Sequence, residues 1–151
     1  MHLAGASVAK KWTPSYKQEI IESRVLSTRL LYKTLQKNLH QVKQIVSASA
    51  IGIYPNDLNY IYHETDNKVD NSFLGNVVQQ WEEEVNQFEK LHINVAKIRI
   101  GIVLAKNGGA LQEMAKPIKI GVGAAFGSGE QYQSWIHIHD LCAIYLEAIE
   151  N

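Results

Sequence analysis

Two stretches, residues 42–49 and 94–104, limit the fold more than any other part of the chain. The first has the apolar core Ile45-Val46 followed by the small residues Ser47, Ala48, Ser49 and Ala50. The second carries Val95, Ile98, Ile100, Ile102, Val103 and Leu104 and is β-branched and partly alternating, the mark of a strand. Such nearly continuous apolar character belongs to strands covered on both faces, which is the condition of a parallel sheet between helices. A helix from about residue 72 to 90 separates the two, with Leu74, Val77, Val78, Trp81, Val85 and Phe88 on one face.

The remaining segments fit the same plan. Residues 1–5 read as the end of a strand entering a loop. A first helix starts at Thr13 or Ser15, with Pro14 in its first turn and Ser15 and Gln18 spaced as a capping box. Its apolar stripe is Ile21, Val25, Thr28, Tyr32, Leu35 and Leu39. A short helix is expected from Ala110 to about Lys116, where Pro117 disturbs its end. A strand follows within residues 132–138, and a terminal helix over residues 141–149. The order of helix, strand, helix, strand, helix, short strand, helix predicts an α/β layer with a parallel sheet.

At 151 residues the chain suits one domain. Basic and acidic residues balance at 15 each, which argues against a broad nucleic-acid or membrane surface. No apolar run reaches the roughly 18 residues of a membrane helix, and the expected location is cytoplasmic. The single cysteine, Cys142, lies among Leu141, Ala143 and Ile144 and reads as a buried, inert thiol.

Ligands of open α/β sheets sit beyond the carboxyl ends of the strands, so Ser47 and Ser49 are candidate site residues. The alternative for Ser49 is a hydroxyl bonded to backbone at a strand end. Glu82, Glu83 and Glu84 read as a solvated helix face. The glycine-rich stretch 121–129 is not a dinucleotide fingerprint, because a strand rather than a helix follows it. It is a substrate loop or plain turn chemistry. His137, His139 and Asp140 would need further ligands to hold a metal; strand-end hydrogen bonding and helix capping by Asp140 account for them, and no metal is expected.

An ordered set of residues then resembles a known family. The set is residues 2–9 with Trp12-Thr13, residues 47–52, Trp81-Glu82, residues 99–104 with 108–111, and Gly127-Ser128-Gly129 with residues 134–138. It resembles the epimerase-family subgroup of extended short-chain dehydrogenase/reductases, the nucleoside-diphosphate-sugar epimerase-like proteins. The resemblance implies the C-terminal half of a Rossmann-like, NAD(P)-binding fold over residues 1–151, with substrate-lobe elements at about 107–138. It implies NADP in preference to NAD and a small polar or nucleotide-sugar-like substrate. Leu3, Ala4, Gly5, Ser47 and Arg99 would face the cofactor, and Ser49 with Ser47 the reacting carbon. Tyr54, Gln131, Ser134, Trp135 and His137 would lie on the substrate side.

Two departures accompany the resemblance. The family's glycine-rich cofactor turn does not occur in these 151 residues, so isolated activity is not expected, and self-association or an N-terminal half would cover the open sheet edge. The superfamily's paired Tyr and Lys fall at Phe73 and Val77, which can neither move a proton nor carry charge. The rival reading is a non-catalytic binding protein that kept the sheet core.

Overall fold

A computed structural model describes residues 1–125 and 127–150; Phe126, within the glycine-rich stretch, lies outside them. The chain builds a parallel α/β layer. Helix α1 (Pro14–Lys37) is followed by strand β1 (Gln44–Ala50) and helix α2 (Phe73–Asn86), which tightens into a 3-10 turn at Gln87–Leu91. Strand β2 (Asn94–Ile100), β3 (Ile102–Ala105), β4 (Gly108–Gly109), helix α3 (Ala110–Lys119), β5 (Trp135–His137) and helix α4 (Ile138–Glu150) complete it.

Strands β1 and β2 run parallel in a register that sets Ser47 beside Lys97 and Ser49 beside Arg99. His2 adds a parallel bridge on the other edge of β1, its N–H donating to the Val46 carbonyl at 2.8 Å and its own carbonyl accepting from Ala48 at 2.9 Å. The strand end expected at residues 1–5 is therefore present as this one bridge. β3 pairs in parallel with β5 and antiparallel with the short β4.

Strand alternation gives this sheet two unlike faces. Val46, Ala48, Ala96, Ile98 and Ile100 pack beneath Leu141 and Tyr145 of α4. On the opposite face, Ile45 and Val95 meet Phe88, Ile93 and Tyr32. Towards the carboxyl ends that second face turns polar, through Ser47, Ser49, Lys97 and Arg99. The apolar half of α2 follows the predicted stripe, with Val77, Val78, Trp81 and Val85 buried.

Several expectations are corrected. Thr13, not Ser15, caps α1: its hydroxyl accepts from the Tyr16 N–H at 3.2 Å, with Pro14 at the first helical position. Helix α3 carries Pro117 inside its last turn and runs on to Lys119. Leu39 lies beyond α1 and is fully exposed. Cys142 is exposed, because α4 turns its neighbours in sequence-spaced fashion: Leu141 and Tyr145, four apart, face the sheet, and position 142 faces out. Asp140 lies inside the first turn of α4, which begins at Ile138. Among the described residues no helix is long and apolar enough to cross a membrane, and no group of three or more metal-binding side chains gathers.

Gly75 shows how tightly α2 is seated. A Cβ there would lie 2.1 Å from the Asp70 carbonyl oxygen. Alanine is the better helix former by about 0.5–1 kcal/mol, yet Gly75→Ala is expected to destabilise the protein by about 1–3 kcal/mol. Urea denaturation reads the sign; a stabilised variant would mean that the Asp70 turn yields freely.

Candidate functional site

At the carboxyl end of β1 and β2 the polar sheet face meets Glu82 of α2. Only 5% of Glu82 is exposed. The Ser49 hydroxyl donates to its Oε1 at 2.5 Å. Arg99 forms a two-pronged bridge, Nε to Oε1 at 2.9 Å and Nη2 to Oε2 at 2.8 Å. The Lys97 ammonium stands 3.6 Å from Oε2 and donates to the Asn86 side chain at 2.8 Å. Burial pushes the Glu82 carboxyl up, but hydrogen bonds from Arg99 and Ser49 and the charges of Arg99 and Lys97 outweigh it, and the net displacement is downward. Glu82 is a held carboxylate.

The solvated-face expectation for residues 82–84 therefore fails at two of three positions. Glu82 is buried in this network, and Glu84 forms an ion pair with Arg29 of α1. A usable signal was present in the sequence. Ser47 and Ser49 share a strand face by alternation, as do Lys97 and Arg99, and cations on a covered sheet face need a carboxylate from the helix above.

Arg99 also reaches outward. Its Nη1 donates to the Tyr54 phenol oxygen at 2.5 Å and to the Glu64 carbonyl at 3.2 Å, and the guanidinium lies 5.1 Å from the Tyr54 ring centre. Tyr54 stacks on Tyr62 with ring centres 5.2 Å apart. With Ile51, Glu64 and Lys97 these residues line a cleft of about 410 Å³. Hydrogen bonding to Glu82, ahead of the opposing effect of burial, holds the Arg99 guanidinium well above its ordinary value.

The other sequence-derived candidates occupy different places. Ser47 is fully buried and its hydroxyl donates to the Ala48 carbonyl at 2.9 Å. Ser49 is 4% exposed and committed to Glu82, not to backbone. Leu3, Ala4 and Gly5 are exposed just past the His2 bridge. Gly5 passes so close to Arg24 that a Cβ would meet its Cζ at 2.9 Å. Gln131 lines a cleft of about 720 Å³ with Ala9, Ile102, Gly109, Met114 and Gln133. His137 lines a separate one with Leu104, Lys106 and part of α3. Trp135 is exposed, and Ser134 contributes its carbonyl, which accepts from Ile102 at 2.8 Å. Thus Tyr54 and Arg99 share a wall, while Gln131 and His137 do not.

Phe73 and Val77 have structural partners of their own. The Phe73 ring meets Trp12 edge-on at 5.4 Å and sits under the Lys17 ammonium at 5.0 Å. Val77 is 2% exposed in the core. Neither side chain opens onto a cleft described above.

The model of the NAD dependent epimerase/dehydratase family matches residues 1–151. An epimerase family protein of Staphylococcus aureus is 43% identical over the whole chain, and one of Staphylococcus haemolyticus 42%. The chain spans about half the length of these curated relatives. A human epimerase family protein solved with NADPH superposes with a TM-score of 0.85 at 30% identity, over 97% of this chain and 50% of that one. The nucleoside-diphosphate sugar epimerase of Corynebacterium glutamicum gives 0.80 at 34% identity, over 94% and 30%. A UDP-glucuronic acid 4-epimerase from Bacillus cereus, at 18% identity and a TM-score of 0.82, shares the fold.

The network makes a pH-linked prediction. Because the folded-state pKa of Glu82 lies below its unfolded value, its stabilisation is complete above the ordinary Glu range, about 4.3, and is lost as pH falls through the depressed value. Glu82→Gln leaves Arg99 without its counter-charge and is expected to cost about 3 kcal/mol at neutral pH. The same variant should lose less stability than the parent on acidification to about pH 3. Parallel acid-side slopes in urea titrations of the two proteins would show that Glu82 does not carry this dependence.

Proposed function

The chain belongs to the NAD dependent epimerase/dehydratase family, and from that membership we propose that it is part of an NAD(P)-binding, epimerase-like oxidoreductase acting on a small polar or nucleotide-sugar-like substrate. The observation that carries the reading is the 30% identity, over 97% of this chain, to a human relative solved with NADPH. On this reading residues 1–151 are one partial dinucleotide-binding unit, with substrate-side elements at about 107–138. The cofactor is a nicotinamide dinucleotide, NADP in preference to NAD. The remaining half of the fold, or a second copy, covers the open edge at His2.

The residues present fit the nicotinamide end of such a cofactor. Leu3, Ala4 and Gly5 are small or exposed and lie just past the parallel bridge of His2 to β1. Ala9, from the same segment, lines the cleft of Gln131 and Gln133, so one short run of chain joins the cofactor side to this largely apolar cleft. When bound, the nicotinamide supplies hydride transfer. The chain's own part is to bind and orient. Gln131 and Gln133 line the cleft, Met114 and Ile102 offer apolar contact, and Glu82 holds the Ser49 hydroxyl at a fixed place beside the strand end.

A second reading, a binding protein without turnover, is favoured by one observation. Ser49, Phe73 and Val77 are each engaged by protein partners rather than presented to a cleft.

Fluorescence titration with NADPH separates the cases. The 151-residue chain should bind weakly or not at all, since the pyrophosphate-binding glycine turn is not among its residues. A protein of the relatives' full length carrying this sequence should bind at micromolar concentration or below, with about 8 kcal/mol of binding free energy. Failure of that longer protein to bind NADPH or NADH would move the binding-protein reading ahead. Submicromolar binding by the short chain would overturn the assignment of the cofactor cradle to other residues.

A further inference from the structure

We propose that the cleft of about 590 Å³ on the opposite flank of α3 binds an organic phosphate with an apolar body. Helix α3 has two different faces. Ala110, Glu113 and Met114 line the Gln131 cleft described above. Leu111, Gln112, Ala115, Lys116 and Lys119, spaced at three and four, line the other one.

Lysines reach this second cleft from separate segments: Lys116 and Lys119 from the end of α3, and Lys106 from the turn between β3 and β4. The imidazole of His137 joins them from β5. The floor is apolar, made of Leu104, Ala105, Leu111 and Ala115. Its volume lies in the range of small-molecule sites, and an apolar lining with few convergent polar groups is their usual make-up.

The charge balance points to an anion. Among the described residues the only carboxylate ion-paired at this rim is Glu113, which reaches from the other face of α3 to Lys116 at 2.6 Å. No ion pair of Lys106 or Lys119 occurs among the described residues. In a chain of zero formal net charge, ammonium groups converging on one concavity are a local excess. Lysine meets phosphate as a mobile point charge, which suits a rim rather than a rigid fork. The apolar floor adds the second requirement, a ring or short hydrocarbon attached to the phosphate. This site stands apart from the NAD(P) reading, because it lies on the face of α3 turned away from Ala9 and Gln131.

Phenyl phosphate is the probe, titrated into the protein and followed by the NMR signals of Leu111, Ala115 and His137. Saturable shifts confined to these residues are expected at about a millimolar or below. Inorganic phosphate and benzyl alcohol should each bind at least about tenfold more weakly, since each lacks one half of the match. The double variant Lys106→Gln with Lys119→Gln should keep its thermal midpoint and lose at least about tenfold in affinity. Raised salt should weaken binding in the parent protein more than in the variant. Shifts that never saturate, an unchanged affinity in the double variant, or equal binding of phenyl phosphate and inorganic phosphate would each overturn the proposal. An NADPH titration of the longer protein is read independently, so the two assignments fail separately.

Discussion

Everything at the carboxyl end of the sheet depends on one carboxylate kept out of water. Glu82 comes from α2, Ser49 from β1, Arg99 and Lys97 from β2, and Tyr54 joins through Arg99 from the segment after β1. A charge in that layer is tolerated only because both oxygens are occupied and two cations face it. The cost of misplacing it fixes how α2 lies over the sheet. Phe88 covers Ile45 at the apolar end, and Glu82 covers Ser49 at the polar end. A slide of α2 by one turn, about 5.4 Å, would set the carboxylate against apolar residues and bare the guanidinium.

The relation between sequence and structure follows from what each residue's neighbours reveal. The stripe of Val77, Val78, Trp81 and Val85 is legible because helical periodicity and burial agree. The strands are legible because residues buried on both faces leave no room for polar alternation. Glu82 was hidden by its neighbours, since three acids in a row match a solvated turn and only the cations on β2 disclose that one of them points inward. Cys142 misled in the opposite direction. Its neighbours are apolar, but a helix decides burial by angular position, and position 142 faces away from the sheet. The candidate site was legible in parts only. Tyr54 and Arg99 do meet, through a contact 45 positions apart that no spacing rule announces. Gln131 and His137, close in sequence, are parted because strand β5 and the loop before it lie on different sides of α3.

Helix α3 is thus a partition as much as a packing element. Ala110, Glu113 and Met114 line the cleft on one side of it, and Leu111, Ala115, Lys116 and Lys119 the cleft on the other. Gly101 makes the partition possible: a Cβ there would meet the Ser134 carbonyl oxygen at 2.5 Å, so only glycine lets the chain before β5 close upon the joint between β2 and β3. That contact carries the hydrogen bond from Ile102 and starts the pairing of β3 with β5.

The segment from His2 to Trp12 is fastened along its course. His2 is paired to β1 on both backbone groups. Ala6 donates its N–H to the Ser23 hydroxyl, and its carbonyl accepts from Arg24. Ser7 accepts from Tyr16, and the Trp12 indole donates to Val8 while its ring rests on Phe73. The ties begin at β1 and continue to α1 and to Phe73 of α2, so the path has little slack. One residue more or fewer would shift every later tie out of reach, whereas the polar stretch 55–69, joined mainly through its own side chains, has room for length variation. Descent with insertions and deletions should therefore have sculpted the second stretch and left the first one's residue count untouched.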